Sequence, residues 1–133
     1  MAETNAQALV QLAVAASKHA YIPYSGYAVG AALQARDGTI YGGCNVENAA
    51  YSPTICAERT ALVKAISEGQ RQFDAIAVVT KDGGSPCGTC RQTLYEFAPD
   101  LRVIIADFEG TVRWDGPLAE LLPLGFTNES LHK

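Results

Sequence analysis

Charge is scarce in this sequence. Charged residues are 18% of its 133 positions, against about 25% in ordinary soluble domains. No block of like charges occurs, which excludes a polybasic anchor and an acidic tail. Ten Lys and Arg against fourteen Asp and Glu leave a net charge of −4. No phosphate-tracking surface is expected, and no nucleic-acid partner. Long apolar runs are missing too: stretches such as Val103 to Ala106 fall far short of the ~20 residues that span a bilayer, so no membrane partner is expected. Met1-Ala2-Glu3-Thr4 lacks the basic-then-apolar pattern of a secretory signal, which points to a cytoplasmic location. Repeats, low-complexity segments and Pro/Gly/Ser linkers are also absent. The sequence therefore reads as one domain over residues 1–133, with a tail from about residue 127 expected to be mobile.

What is present is a core: 48% hydrophobic residues exclude a disordered chain. A thin charge coat over such a core means a Ser/Thr/Asn-rich surface or a surface hidden in an oligomer; composition alone leaves both open. Residues 5–19 are predicted to be helical, with Leu9, Val10, Leu12 and Val14 on one face. Pro23 and Gly26 break that pattern. Tyr27–Gln34 and Ile40–Val46 read as strands joined by the Asp37-Gly38 turn. Cys56–Glu68 reads as a helix, with Ala57, Leu62, Val63 and Ile66 at helical spacing and Gly69 in the C-terminal capping position. Phe73–Thr80 is a β-branched, buried strand and Lys81–Pro86 a loop. Cys87–Ala98 is a second helix stopped by Pro99. Leu101–Ala106 and Thr111–Asp115 are strands, and Pro117–Leu122 is a short helix. This order specifies an α/β domain with a mixed sheet. Both cysteine-led helices are expected to pack antiparallel to strand Phe73–Thr80, so their N-termini meet at one sheet edge.

Four cysteines occur, Cys44, Cys56, Cys87 and Cys90. Without an export signal, metal binding or catalysis is a better default than a disulfide framework. Cys-x-x-Cys alone is also a redox motif or half of a structural zinc site, in which Cys44 would be the fourth ligand. Cys44 also suits the role of a small buried hydrophobe. Cys87 and Cys90 at one helix start, with Cys56 at the other, make a three-thiolate zinc site that keeps a fourth position for water. Glu58, two residues past a ligand, suits a proton shuttle better than a ligand. His19 and His132 lack metal-ligand spacing, and Trp114 suits packing.

Cys56-Ala57-Glu58 followed by Pro86-Cys87-x-x-Cys90 matches the zinc nucleobase deaminase pattern in its three-cysteine form. Pro23-Tyr24-Ser25-x-Tyr27-x-Val29-Gly30-Ala31-Ala32-Leu33, Asn45-Val46-Glu47-Asn48-Ala49-Ala50-Tyr51, Arg59, Arg91-Gln92 and Leu121-Leu122-Pro123-x-x-Phe126 stand in order around it. Over residues 9–126 the chain closely resembles the short, homotetrameric cytidine deaminases.

The resemblance implies a three-layer α/β/α domain around a mixed sheet of about five strands. It implies hydrolytic deamination of cytidine and 2′-deoxycytidine in pyrimidine salvage, with one Zn²⁺ per subunit on Cys56, Cys87 and Cys90. Glu58 would carry protons for a zinc-activated water. The Ala57 N–H would meet the base carbonyl, and Asn45 and Glu47 would hold the ribose 3′-hydroxyl with Val46 between them. Tyr27, where the family often has Phe, would flank the base. Phe126 of a neighbouring subunit would close the pocket, with Ala49 and Tyr51 as further residues reaching a neighbour. Arg59 would offset the charge of three thiolates on Zn²⁺. Two competing readings share the zinc motif: a nucleoside-antibiotic deaminase of the blasticidin S type and a non-enzymatic zinc module. The Asn45-Val46-Glu47-Asn48 segment favours a ribose over the former.

Overall fold

The computed structural model describes residues 3–131. Helix α1, Ala6–Ser17, starts where the Asn5 side chain accepts from Ala8 N at 3.0 Å, a side-chain N-cap. It buries Leu9, Val10, Ala13 and Ser17. Leu12, expected on that face, is 45% exposed, because the i, i+4 stripe through 9, 13 and 17 turns it outward.

Strands β1, Gly30–Ala35, and β2, Ile40–Cys44, form the expected hairpin. Gly38 takes a φ of +94° in its turn, a conformation open mainly to glycine. β1 starts three residues later than expected. The Asn45 side chain is the reason: Nδ2 donates to Tyr27 O at 2.9 Å and Oδ1 accepts from Val29 N at 3.0 Å, in place of a strand ladder. β2 stops before Val46, which bridges instead to Tyr21 and Ile55.

Helix α2, Ala57–Ser67, begins at an N-cap Cys56. It closes as Gly69 N donates to Ile66 O and Gln70 N to Ala65 O, with Gly69 at φ +100°, the hydrogen-bond pair of a Schellman cap. Val63 is exposed rather than facing the core. Strand β3 is Phe73–Thr80, buried along nearly its whole length. Helix α3, Gly88–Phe97, follows an N-cap Cys87. Strands β4, Arg102–Asp107, and β5, Val112–Pro117, lead into a 3-10 turn, Leu118–Leu121, where a short helix was expected. Helix α4, Asn128–Leu131, occupies the region read as a tail; His132 lies outside the described residues.

The sheet order is β2-β1-β3-β4-β5, with only the β3–β4 pair parallel. Leu33, Ile76, Val78, Val103 and Ile105 pack on one face with Ala57, Ala61 and Leu62 of α2 and Leu94 of α3. Ala32, Ala75, Ala77, Val79 and Ile104 pack on the other face with Leu9, Val10 and Ala13 of α1. The mixed sheet with helices on both faces is the α/β architecture read from the sequence. The seating of the two helices differs: α2 lies mainly over β1 and β2, and α3 packs mainly on α2 and the Leu118–Leu121 turn, where both were expected on β3. A Cβ on Gly43 would stand 2.6 Å from Ala57 O and Ala61 N. A bare backbone there lets the first turn of α2 settle on β2, which sets the height of Cys56.

Asp107 closes the β4–β5 turn. Oδ1 accepts from Glu109 N and Thr111 N, and Oδ2 accepts from Arg113 Nε and Nη2. The hydrogen bond from Thr111 N, with Arg113 beside it, lowers the carboxyl pKa. A group whose folded pKa is depressed stabilises fully above its unfolded value, about 3.9. That contribution is lost as pH falls through the folded pKa. Urea midpoints of the wild type are therefore expected to fall more steeply below about pH 4 than those of Asp107→Asn. Parallel pH profiles would contradict this.

Candidate active site

Two helix N-termini converge beyond the C-terminal end of β3. Cys56 caps α2 and Cys87 caps α3, where Cys87 Sγ accepts from Cys90 N at 3.5 Å. Helix N-termini carry roughly half a positive charge and stabilise thiolates. The Cys56 and Cys87 sulfurs are 3.8 Å apart, and all three sulfurs lie within 4.8 Å of one another. Tetrahedral zinc with Zn–S near 2.3 Å needs sulfurs about 3.8 Å apart, so the trio fits that ion. Cys44, half-buried in β2, lies outside this group. The set is three thiols among the described residues, which argues against a closed four-cysteine structural site.

The electrostatics set Cys56 and Cys90 apart. The Cys56 thiol pKa falls to about 5, chiefly because the Cys90 thiol donates to it, with Arg59 and Cys87 adding. That same bond, with burial, pushes the Cys90 thiol up; a cation shared by the three sulfurs would take the place of its proton. Arg59 Nη2 donates to Thr54 O at 3.2 Å and approaches Cys56 Sγ at 3.7 Å, while its buried Nε has no partner. Its guanidinium thus faces the Cys56 sulfur.

A cavity of about 200 Å³ opens beside the sulfurs, with Tyr27, Asn45, Cys56, Glu58, Thr80 and Cys87 in its wall. Glu58 is 3% exposed. Burial raises its carboxyl pKa, and the Cys56 thiolate adds to the rise. A larger groove of about 540 Å³, bounded by Arg36, Asp74 and Phe97, lies at the opposite end of β3 and holds no thiol.

A family model described as the cytidine and deoxycytidylate deaminase zinc-binding region matches residues 3–106. The chain belongs to the cytidine and deoxycytidylate deaminase family. It is 51% identical over 119 residues to a cytidine deaminase of Sporosarcina psychrophila, covering 87% of each chain. It is 47% identical over 129 residues to one from Halalkalibacterium halodurans, covering 95% of this chain and 97% of that protein. The crystal structure of a Burkholderia pseudomallei cytidine deaminase superposes with a TM-score of 0.88 at 46% identity, over 92% of this chain and all of that one.

Against this deaminase frame the expected residues separate into two groups. Tyr27, Asn45, Glu58, Cys56 and Cys87 share the cavity wall, and Cys90 is buried behind it. Ala57, the first residue of α2, offers an N–H with no intrahelical acceptor. Val46, Glu47, Ala49, Tyr51 and Phe126 lie outside that wall. Glu47 accepts from Tyr24 N, Ser25 N and the Ser25 hydroxyl, and those bonds lower its pKa, the hydroxyl's most.

Arg91 directly follows Cys90. Its guanidinium donates to Pro86 O at 2.7 Å, Ser85 Oγ at 2.6 Å and Leu121 O at 2.7 Å. It thus fastens the approach to Cys87 to the chain beyond β5. Gln92 Nε2 donates to Phe126 O at 2.9 Å. An Arg-Gln pair directly after a thiol ligand was the available signal. Its partners are backbone atoms distant in sequence, which no motif displays.

Proposed function

We propose that this protein hydrolytically deaminates cytidine and 2′-deoxycytidine to uridine and 2′-deoxyuridine, releasing ammonia. It works as a cytoplasmic homotetramer with one Zn²⁺ per subunit on Cys56, Cys87 and Cys90. The observation that carries this reading is a three-thiol cluster opening on a cavity whose buried acid is Glu58. Three ligands and a nearby acid are the parts of a catalytic rather than a structural zinc site. A thiol set kept reduced for metal fits the cytoplasm.

Zinc bound there supplies Lewis acidity that renders water nucleophilic near neutral pH. Glu58 does the proton work: its carboxylate takes a proton from the attacking water and delivers it to the pyrimidine N3, then takes the remaining proton from the hydroxyl added at C4 and hands it to the amine, which leaves as ammonia as the C4–N bond breaks and the C4 carbonyl forms. Its raised pKa suits a group that must both hold and release a proton. Three thiolates on a divalent ion carry a net −1, and the Arg59 guanidinium with the two helix N-termini offsets it.

Asn45 has one lone pair and one N–H left after binding Val29 and Tyr27, enough to hold a ribose hydroxyl. The Ala57 N–H orients the base carbonyl, and Tyr27 walls the base. Glu47, beside Asn45, serves the ribose and carries its charge low in pKa, with Val46 between them. Phe126 closes the pocket of a neighbouring subunit, where Ala49 and Tyr51 also reach.

The test is the ultraviolet change as cytidine, and then 2′-deoxycytidine, becomes the uracil nucleoside. Turnover is expected from zinc-loaded protein, lost to a strong chelator and restored by Zn²⁺. Zinc-loaded protein that leaves both nucleosides intact would refute the proposal.

A further inference from the structure

The loop between β3 and α3 carries a hydrogen-bonded relay in which neither the thiols nor Glu58 takes part. The Tyr27 hydroxyl donates to Asp82 Oδ1 at 2.5 Å. Thr80 Oγ1 donates to the same oxygen at 3.2 Å and accepts from Gly84 N at 2.7 Å. The Lys81 ammonium lies 5.5 Å from the centre of the Tyr27 ring, within cation–π range. A Cβ on Gly84 would stand 3.2 Å from the Tyr27 hydroxyl oxygen, so the loop backbone approaches the phenol closely. Tyr27, Thr80 and Gly84 all lie in the cavity wall, and the loop continues through Ser85 and Pro86 into Cys87.

One side-chain hydrogen bond therefore ties the segment leading into β1 to the segment that delivers a metal ligand. The acceptor is a carboxylate, which makes the bond charge-assisted and stronger than a neutral one. The Tyr27 hydroxyl lowers the Asp82 pKa, while burial, with Asp82 adding, raises that of Tyr27. At neutral pH the proton stays on the phenol and the charge on Asp82. The ring has its only donor engaged by the loop, so it serves the cavity as an apolar wall. A Phe at position 27 would keep the wall and lose the tie.

The geometry points to Asp82 as a positioning residue: through the Tyr27 hydroxyl it holds the β3–α3 loop and the Tyr27 ring together as one rigid wall for the pyrimidine base. It governs substrate affinity and leaves the chemical step to Glu58. This rests on the deamination reading above.

Steady-state kinetics of the zinc-loaded full chain with cytidine test it. Asp82→Ala is expected to raise KM about five- to tenfold, the net worth of an ordinary hydrogen bond, because Asp82 is exposed to solvent, with kcat within about twofold. Tyr27→Phe raises KM by the same factor, and the double variant is no worse than either single, because both changes remove one bond. Asp82→Asn keeps an acceptor oxygen and recovers most of the affinity. Zinc content stays at the wild-type level throughout. An unchanged KM in Asp82→Ala, losses that add in the double variant, or a fall in kcat at constant KM would each overturn the proposal. If Asp82→Ala fails to fold, Tyr27→Phe alone decides through the same split. Wild-type protein inactive on cytidine would overturn the deamination reading as well; active wild type beside an unaffected Asp82→Ala would overturn this inference alone.

Discussion

Glu58→Gln protein is expected to bind zinc at one ion per chain and to deaminate cytidine at least about 10²- to 10⁴-fold more slowly, the usual contribution of a positioned acid–base group. The substitution keeps the shape and polarity of the side chain and removes its capacity to carry a proton. Zinc should persist because the metal-binding set among the described residues is three thiols, without Glu58. A carboxylate 3% exposed inside a cavity of about 200 Å³ has little water with which to exchange protons. Its proton traffic therefore runs through whatever fills that cavity. Metal analysis of the purified variant beside its kcat separates the two roles. Loss of zinc with loss of activity would make Glu58 a site-building residue. Activity within about tenfold of wild type would remove it from the acid–base role.

The sequence displayed the thiol cluster well because two of its three cysteines sit at helix caps. Cys56 and Cys87 are N-caps, and a helix boundary is where pattern breaks: an apolar stripe begins after each, and Gly69 and Pro99 end the two helices. β3 was legible to the residue because it is buried along nearly its whole length, which leaves an unbroken apolar, β-branched run. The start of β1 and the seat of α2 differ from the sequence reading for one reason, a side-chain or backbone contact standing in for a ladder or stripe. Asn45 replaces the strand partner of residues 27–29. Gly43 brings α2 over β2 by having no side chain, and nothing in its neighbours' periodicity announces it. The Tyr27–Asp82 pair joins residues 55 positions apart across a segment that the sequence shows only as a polar loop. Periodicity reports which face is buried; it does not report which polar atoms find each other.

The second large effect expected is on assembly. In solution the protein should behave as a particle of about 56 kDa, four chains of 14.1 kDa each, and chains held apart should have lost most of their activity. Pockets that enclose a small ligand usually measure about 300–1,000 Å³, whereas the cavity beside the thiols measures about 200 Å³ within one chain, a size that a wall from a neighbouring chain would extend. Candidates for that wall are on the surface: Phe126 is 55% exposed, Tyr51 76%, and Leu124 fully. Tyr51 and Leu124 also take φ values of +63° and +58°, a conformation that costs bulky residues about 1–3 kcal/mol and persists where surroundings hold it. Gln92, next to the thiol ligands in sequence, fixes the Phe126 backbone, so a displaced C-terminal segment would be felt at the metal loop. Burying one Phe side chain is worth about 1.5–3 kcal/mol. Phe126→Ala is therefore expected to cut kcat/KM about ten- to hundredfold while zinc content stays at one ion per chain. Mass by light scattering at assay concentrations, read beside kcat/KM, decides the matter. A fully active 14.1 kDa species would mean that each chain completes its own pocket, and that the thin charge coat has some other cause.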